Sequence, residues 1–208
     1  MAFEVDVELN RGGRRVAARF ASDGGIAALV GHSGAGKTSV LDMVAGLVRP
    51  DRGRIAVAGR VLFDSAAGLC LPPHKRDCGY VFQDHRLFPH LKVADNLLYG
   101  ARARGQAVGA EELARITGFL GIGPLLQRYP RGLSGGEAQR VAIGRALLSG
   151  ARFLLMDEPL ASLDDGRREE IMTLIERIRD ELAMPILYVS HDRGEVERLA
   201  QMVVVLGG

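Results

Sequence analysis

The segment Gly31-His32-Ser33-Gly34-Ala35-Gly36-Lys37-Thr38 limits the fold of this chain more than any other stretch. It fits the pattern G-x-x-x-x-G-K-[ST], directly after the apolar run Ile26 to Val30 and directly before Leu41, Val44, Ala45 and Val48 at helical spacing. Glycines let the backbone turn tightly enough to aim successive N–H groups at one point, and a helix N-terminus adds the positive end of its dipole. Such a strand–loop–helix unit is suited to holding phosphate. Lys37 is placed to reach the β- and γ-phosphates of a nucleoside triphosphate, and the Thr38 hydroxyl is a hard oxygen donor suited to Mg²⁺. Gly31, His32, Ser33, Gly34, Ala35, Gly36, Lys37, Thr38 and Ser39 are therefore the expected nucleotide contacts. A dinucleotide fingerprint or a protein-kinase loop would need a glycine where Ser39 stands, so both fail. On its own the loop leaves kinases, GTPases and motors open.

The 208 residues suffice for one sizeable core, and the expected unit is a single domain over 1–208. No stretch approaches the roughly 20 apolar residues of a membrane span. The start, MAFEVDVELN, is acidic and has no cleavable apolar pattern, which predicts a protein that stays in the cytoplasm. The net charge is +2 and the basic residues are scattered, so no nucleic-acid partner is expected. Cys70 and Cys78 have no companion Cys or His pair and read as buried reduced thiols.

Phe3, Val5, Val7 and Leu9 alternate with polar residues, and Arg15 to Phe20 continues an extended pattern, predicting antiparallel strands with one wet face. Ile26 to Val30, Phe153 to Met156, Ile186 to Val189 and Val203 to Leu206 are continuous apolar runs, as in parallel strands covered on both faces. Helical spacing follows the first run and recurs in Ala138 to Ala146 and Ile171 to Ile178. The prediction is an α/β fold: a mainly parallel core sheet, an N-terminal antiparallel β-subdomain, and a small α-helical subdomain within about 90–150.

Phe153-Leu154-Leu155-Met156-Asp157-Glu158 ends in two acids at the carboxyl end of a strand, where ligands bind in such sheets. Asp157 is the expected Mg²⁺ holder, acting through water, and Glu158 the group that orients or deprotonates an attacking water. Leu133-Ser134-Gly135-Gly136-Glu137 precedes the helical stretch Ala138 to Ala146 and offers a second anion-binding end.

With LSGGE at 133–137 and LLMDEP at 154–159, the sequence resembles the ATP-binding cassette family, whose signature is LSGGQ. Gln83 in Val81-Phe82-Gln83 resembles the family's glutamine loop, and His191 in Val189-Ser190-His191-Asp192 its switch histidine. The resemblance spans essentially the whole chain and implies a P-loop NTPase of ABC type. It implies catalytic roles for Glu158, His191 and Gln83, with Gln83 also sensing the metal. It further implies that Ser134, Gly135, Gly136, Glu137 and Asp164 contact nucleotide in a partner subunit. ATP and Mg²⁺ would lie between two head-to-tail copies, and hydrolysis would depend on their closure.

The stretch Tyr80 to Leu91 looks like the glutamine loop of bacterial importers, where a short permease helix docks. The wider segment from Gly59 to Leu91, with NLLYG after it, is similar to the ATPase subunit of molybdate importers. The implied protein is a peripheral subunit on the cytoplasmic face of the membrane. It would drive oxyanion uptake through integral membrane permease subunits, supplied by a periplasmic or extracellular binding protein. Tungstate or sulfate stand behind molybdate as cargo. A soluble ABC protein acting on DNA or ribosomes usually carries long coiled-coil insertions, and no sustained heptads separate Lys37 from Ser134.

Three departures stand out. Glu137 replaces the signature glutamine and brings negative charge, with Arg140 as a neighbour that could offset it. Where an adenine-stacking aromatic is expected, the chain has Arg11, Gly12 and Gly13. The chain stops at Gly208, whereas molybdate-importer ATPases usually continue into a C-terminal oxyanion-binding domain.

Overall fold

The computed structural model describes residues 1–207 and contains two five-stranded sheets. Strands β1 (Phe3–Arg11) and β2 (Arg14–Ser22) form an antiparallel hairpin. Its turn is Gly12-Gly13, at φ 56° and 77°, the left-handed pair that a two-residue hairpin matched to strand twist requires. On β1, Phe3, Val5, Val7 and Leu9 are buried, as alternation predicts. Strands β4 (Arg52–Val57), β5 (Arg60–Asp64) and β6 (Leu69–Cys70) extend this sheet in the order β2-β1-β4-β5-β6.

The second sheet is parallel throughout. Its strands are β3 (Ile26–Val30), β7 (Cys78–Val81), β8 (Phe153–Asp157), β9 (Ile186–Val189) and β10 (Met202–Val205), in the order β10-β3-β9-β8-β7. The helices are α1 (Lys37–Ala45), α2 (Val93–Ala103), α3 (Ala110–Leu120), α4 (Gly135–Leu148), α5 (Asp165–Glu181) and α6 (Arg193–Leu199).

Alternate residues of the parallel strands face different cores. Ala27, Leu29, Phe153, Leu155, Leu187 and Val189 join a cluster with α1 and the antiparallel sheet. Ile26, Leu154, Met156, Ile186 and Tyr188 join another with α2, α3, α4 and α5. Period-2 geometry thus makes a continuous apolar run serve two cores at once. Only one face is covered wholly by helices; the other is shared by α1 and a sheet.

Two expectations need correction. Cys70 is exposed on the short edge strand β6 and Cys78 is partly exposed; both are free thiols. The helix expected over Ala138 to Ala146 begins earlier: α4 starts at Gly135, so Gly135, Gly136 and Glu137 form its first turn. A buried arginine was also missed. Arg76, 1% exposed, donates from Nη1 to the carbonyls of Met43 and Val44 and from Nε to that of Leu71, satisfying the C-terminal end of α1.

Candidate active site

Gly36, in left-handed conformation at φ 95°, delivers the chain from the loop into α1. A Cβ there would stand 2.6 Å from Val16 of β2, so glycine is needed for the hairpin to pack on the loop. Lys37 is 8% exposed, and its ammonium folds back to donate to the carbonyls of Gly31 at 2.9 Å and His32 at 3.2 Å. Ala35 N–H donates to the His32 carbonyl, closing the turn. These bonds hold the lysine beside the loop's amides, ready to exchange its carbonyl partners for an anion.

The Thr38 hydroxyl donates to Asp157 Oδ1 at 3.2 Å, tying the start of α1 to the end of β8. Burial pushes the Asp157 carboxyl above its usual range, and the neighbouring charges of Glu158 and Asp42 push it the same way, against the Thr38 bond and Lys37. A hydroxyl and a carboxylate in excess negative charge fit a small hard cation.

Glu158 adopts φ 44°, a region uncommon for any residue with a side chain. Its N–H donates to the Val189 carbonyl at 3.0 Å, which holds the bend where β8 ends. Its carboxylate Oε2 lies 3.3 Å from His191 Nδ1. Behind His191 lies a buried network. Glu195 Oε2 accepts from Tyr188 Oη at 2.8 Å and from Ser190 Oγ at 2.7 Å, and Ser190 Oγ accepts from the Asp192 N–H at 3.0 Å. Arg168 of α5 donates to Asp192 at 3.1 Å. Tyr188 is pushed far above its usual pKa by burial and by Glu195, so its hydroxyl stays a donor.

Ser33, Gly34, Gly36, Lys37, Thr38, Ser39, Glu158 and His191 line one cleft of about 600 Å³. Gln83 follows β7, which pairs with β8; it is exposed and does not line this cleft. Ser134, Gly136 and Glu137 line a different cavity of about 430 Å³, beside Arg128, Arg140 and Arg167. Asp164 caps α5 by accepting the Arg167 N–H at 3.0 Å, and Leu163 beside it reaches within 3.2 Å of where a Cβ on Gly135 would stand. The two cavities share no lining residue.

Glu137 does not point free charge into the second cavity as the sequence suggests. Ser134 N–H donates to its Oε2 at 2.7 Å while Ser134 Oγ accepts the Glu137 N–H at 3.3 Å, a reciprocal capping box. The bond from the Ser134 backbone, with smaller contributions from Arg128 and Arg167, holds the Glu137 carboxyl below its usual range. Arg140 is engaged by Glu170 instead. The capping box was readable in S-x-x-E; the network behind His191 was not, because Tyr188, Ser190 and Glu195 converge only when α6 packs on β9.

A phosphate-loop cleft at the carboxyl end of a parallel sheet, with a separate signature-bearing helix, defines a nucleotide-binding cassette. The family model for ABC transporters matches residues 20–161, and the chain belongs to that family. It is 54% identical over 206 residues to the molybdenum import ATP-binding protein ModC of Rhizobium meliloti (strain 1021), covering 99% of this chain and 58% of that protein. Against the ModC of Mesorhizobium japonicum it is again 54% identical, covering 99% of this chain and 56% of the relative. The chain thus spans a little over half the length of these relatives. Among solved structures, the dimeric bacterial ABC transporter cassette MJ0796 superposes with TM-score 0.77 at 25% identity, covering 99% of this chain and 93% of that one. CbiO1 from Clostridium perfringens, part of the transporter complex cbiONQ, gives 0.79 at 26% identity, covering 99% and 84%.

Proposed function

We propose that the chain is the ATP-binding and ATP-hydrolysing cassette of an importer that takes up molybdate. The observation that carries the hydrolytic part is the convergence of Lys37, Thr38, Glu158 and His191 on one cleft, with Asp157 bonded to Thr38. Loop amides and Lys37 bind the phosphates; phosphoryl transfer is then chiefly positioning and charge stabilisation. Glu158 accepts the proton of the attacking water or orients it, and His191, beside it, contacts the γ-phosphate. Thr38, Asp157 and Gln83 would hold Mg²⁺, which when bound neutralises charge on the phosphate oxygens.

The signature helix lies outside the cleft, which supports a site completed by a second copy through Ser134 to Glu137 and Asp164. The relatives named above, one of them a dimeric structure, support both the cargo and this pairing. A groove of about 400 Å³ lined by Tyr80, Phe82, Arg86, Phe88, Tyr99 and Arg145 suits a permease helix. Asn96 clamps Phe88 through its N–H and carbonyl, and Arg145 donates to the carbonyls of His85 and Arg86, so this loop is pre-shaped. Docking there would place the chain at the cytoplasmic face of the membrane, and among the described residues no helix is long and apolar enough to cross it. A binding protein on the far side of the permease would deliver the oxyanion.

The test is phosphate release from ATP with Mg²⁺, followed by reconstitution with its permease in liposomes. Molybdate should stimulate turnover more than sulfate; an equal response to sulfate would remove the cargo assignment.

A further inference from the structure

A closed ring of contacts joins Glu158 to His191 by way of α5. From Glu158 the chain turns through Pro159 to Asp164, with Ala161 N–H donating to the Glu158 carbonyl at 3.2 Å and Leu163 N–H to that of Leu160 at 3.1 Å. Pro159, Leu160 and Leu163 are buried, whereas Ala161, Ser162 and Asp164 are exposed. Asp164 caps α5, and Arg168, at the end of that helix's first turn, reaches back to donate to Asp192 Oδ2 at 3.1 Å. The other Asp192 oxygen, Oδ1, caps α6 by accepting the Glu195 N–H at 3.1 Å. Asp192 directly follows His191, whose Nδ1 closes the ring at Glu158 Oε2.

Within this ring Arg168 is under-bonded. Its Nε is buried without a hydrogen-bond partner and stands 3.9 Å from Glu195 Oε1, too far for a bond. A shift of roughly 1 Å would bring it into bonding range and let the two-pronged guanidinium hold Asp192 and Glu195 together. A buried N–H left unpaired is costly, so a better position for this side chain lies close by. The His191 side chain is 67% exposed and is placed chiefly by its own backbone, which Asp192 and the Ser190–Glu195 bonds hold. Farther along, Arg198 of α6 bonds Glu169 and Glu176 of α5, and Arg168 is the contact at the histidine end. We propose that Arg168 is a positioning residue that makes the place of His191 depend on the exposed turn Ala161 to Asp164. A second copy seated on that turn moves the first turn of α5, and Arg168 carries the movement to Asp192 and so to the histidine beside Glu158.

This rests on the paired site, and one set of variants separates the two claims. Arg168→Met keeps much of the side chain's length and removes its charge. Its kcat should fall about tenfold with KM and calorimetric ATP affinity unchanged, as a small misplacement of a reacting group does. Asp192→Asn, which still caps α6, should fall as far, and the double variant no further, because both remove one contact. Arg168→Lys should recover part of the turnover, since it supplies the charge without the fork. In the Glu158→Gln background, Arg168→Met should still pair with ATP and Mg²⁺ by light scattering. Unchanged turnover in Arg168→Met, or losses that multiply in the double variant, overturn the inference; so does loss of pairing, which would make Arg168 an interface contact. A Glu158→Gln chain that stays monomeric overturns the paired site itself, a result visible before Arg168 is changed. Should Arg168→Met melt too low to assay, Arg168→Lys and Asp192→Asn carry the same comparison, and wild-type turnover in both sinks the proposal.

Discussion

His191 Nδ1 lies 3.3 Å from Glu158 Oε2, so the turn after β9 and the end of β8 place a base and a carboxylate side by side at the mouth of the phosphate-loop cleft. Glu158 is held by its left-handed backbone and the Val189 carbonyl, and the chain on either side of His191 is held by the Ser190–Glu195–Tyr188 network. Backbone strain of this kind costs of order 1–3 kcal/mol and persists where surrounding contacts over-determine it.

Ser190→Ala removes the hydroxyl that both donates to Glu195 and accepts from the Asp192 N–H. A buried carboxylate then loses one of its donors, for a stability loss of about 1–3 kcal/mol in urea denaturation. ATPase kinetics should show kcat falling several-fold with KM little changed, since phosphate contacts are untouched. An unchanged kcat would mean that the network does not position His191.

Lys37→Ala removes the ammonium that donates to Gly31 and His32. Calorimetry should show ATP affinity reduced by at least a hundredfold, while the loss of two part-buried bonds worth about 1 kcal/mol each lowers the melting temperature by several degrees without unfolding the chain.

Asp157→Asn should separate stability from function. In the folded chain the Asp157 carboxyl titrates above its ordinary value, chiefly through burial and then through Glu158 and Asp42. The folded state therefore holds its proton to higher pH than the unfolded state, and stability is lost as pH rises through that window. The variant should melt above the wild type at pH 7 to 8, the two should converge only below the unfolded carboxyl's pKa of about 3.9, where both states are protonated, and the variant should need more Mg²⁺ for turnover. A variant that melts lower at neutral pH would contradict the charge argument.

Glu137→Gln should be nearly silent, with turnover within twofold, because glutamine can complete the same capping box. Ser134→Ala should cost about 1 kcal/mol through the lost cap and should also depress turnover more than stability if the hydroxyl faces a partner's nucleotide.

Most of the parallel core was legible because apolar runs such as Ile26 to Val30 and Phe153 to Met156 carry both faces in one pattern. The phosphate loop was legible because its glycines answer a local backbone demand. What escaped depends on chain segments far apart. Strands β4 to β6 have mixed patterns and gain their identity from successive pairings, β4 on β1, β5 on β4 and β6 on β5. Arg76 reads as a surface charge until α1 ends above it. The free charge expected of Glu137 overlooked a bond three residues away.

The central claim is that hydrolysis occurs in a cleft completed by a second copy. Glu158→Gln removes the proton acceptor while keeping the shape of the side chain and the phosphate contacts. Light scattering of this variant with ATP and Mg²⁺ should give twice the 22.4 kDa of the single chain, while phosphate release falls by at least a hundredfold and ATP remains bound. A monomer under those conditions, together with turnover near that of the wild type, would contradict both the role of Glu158 and the paired site.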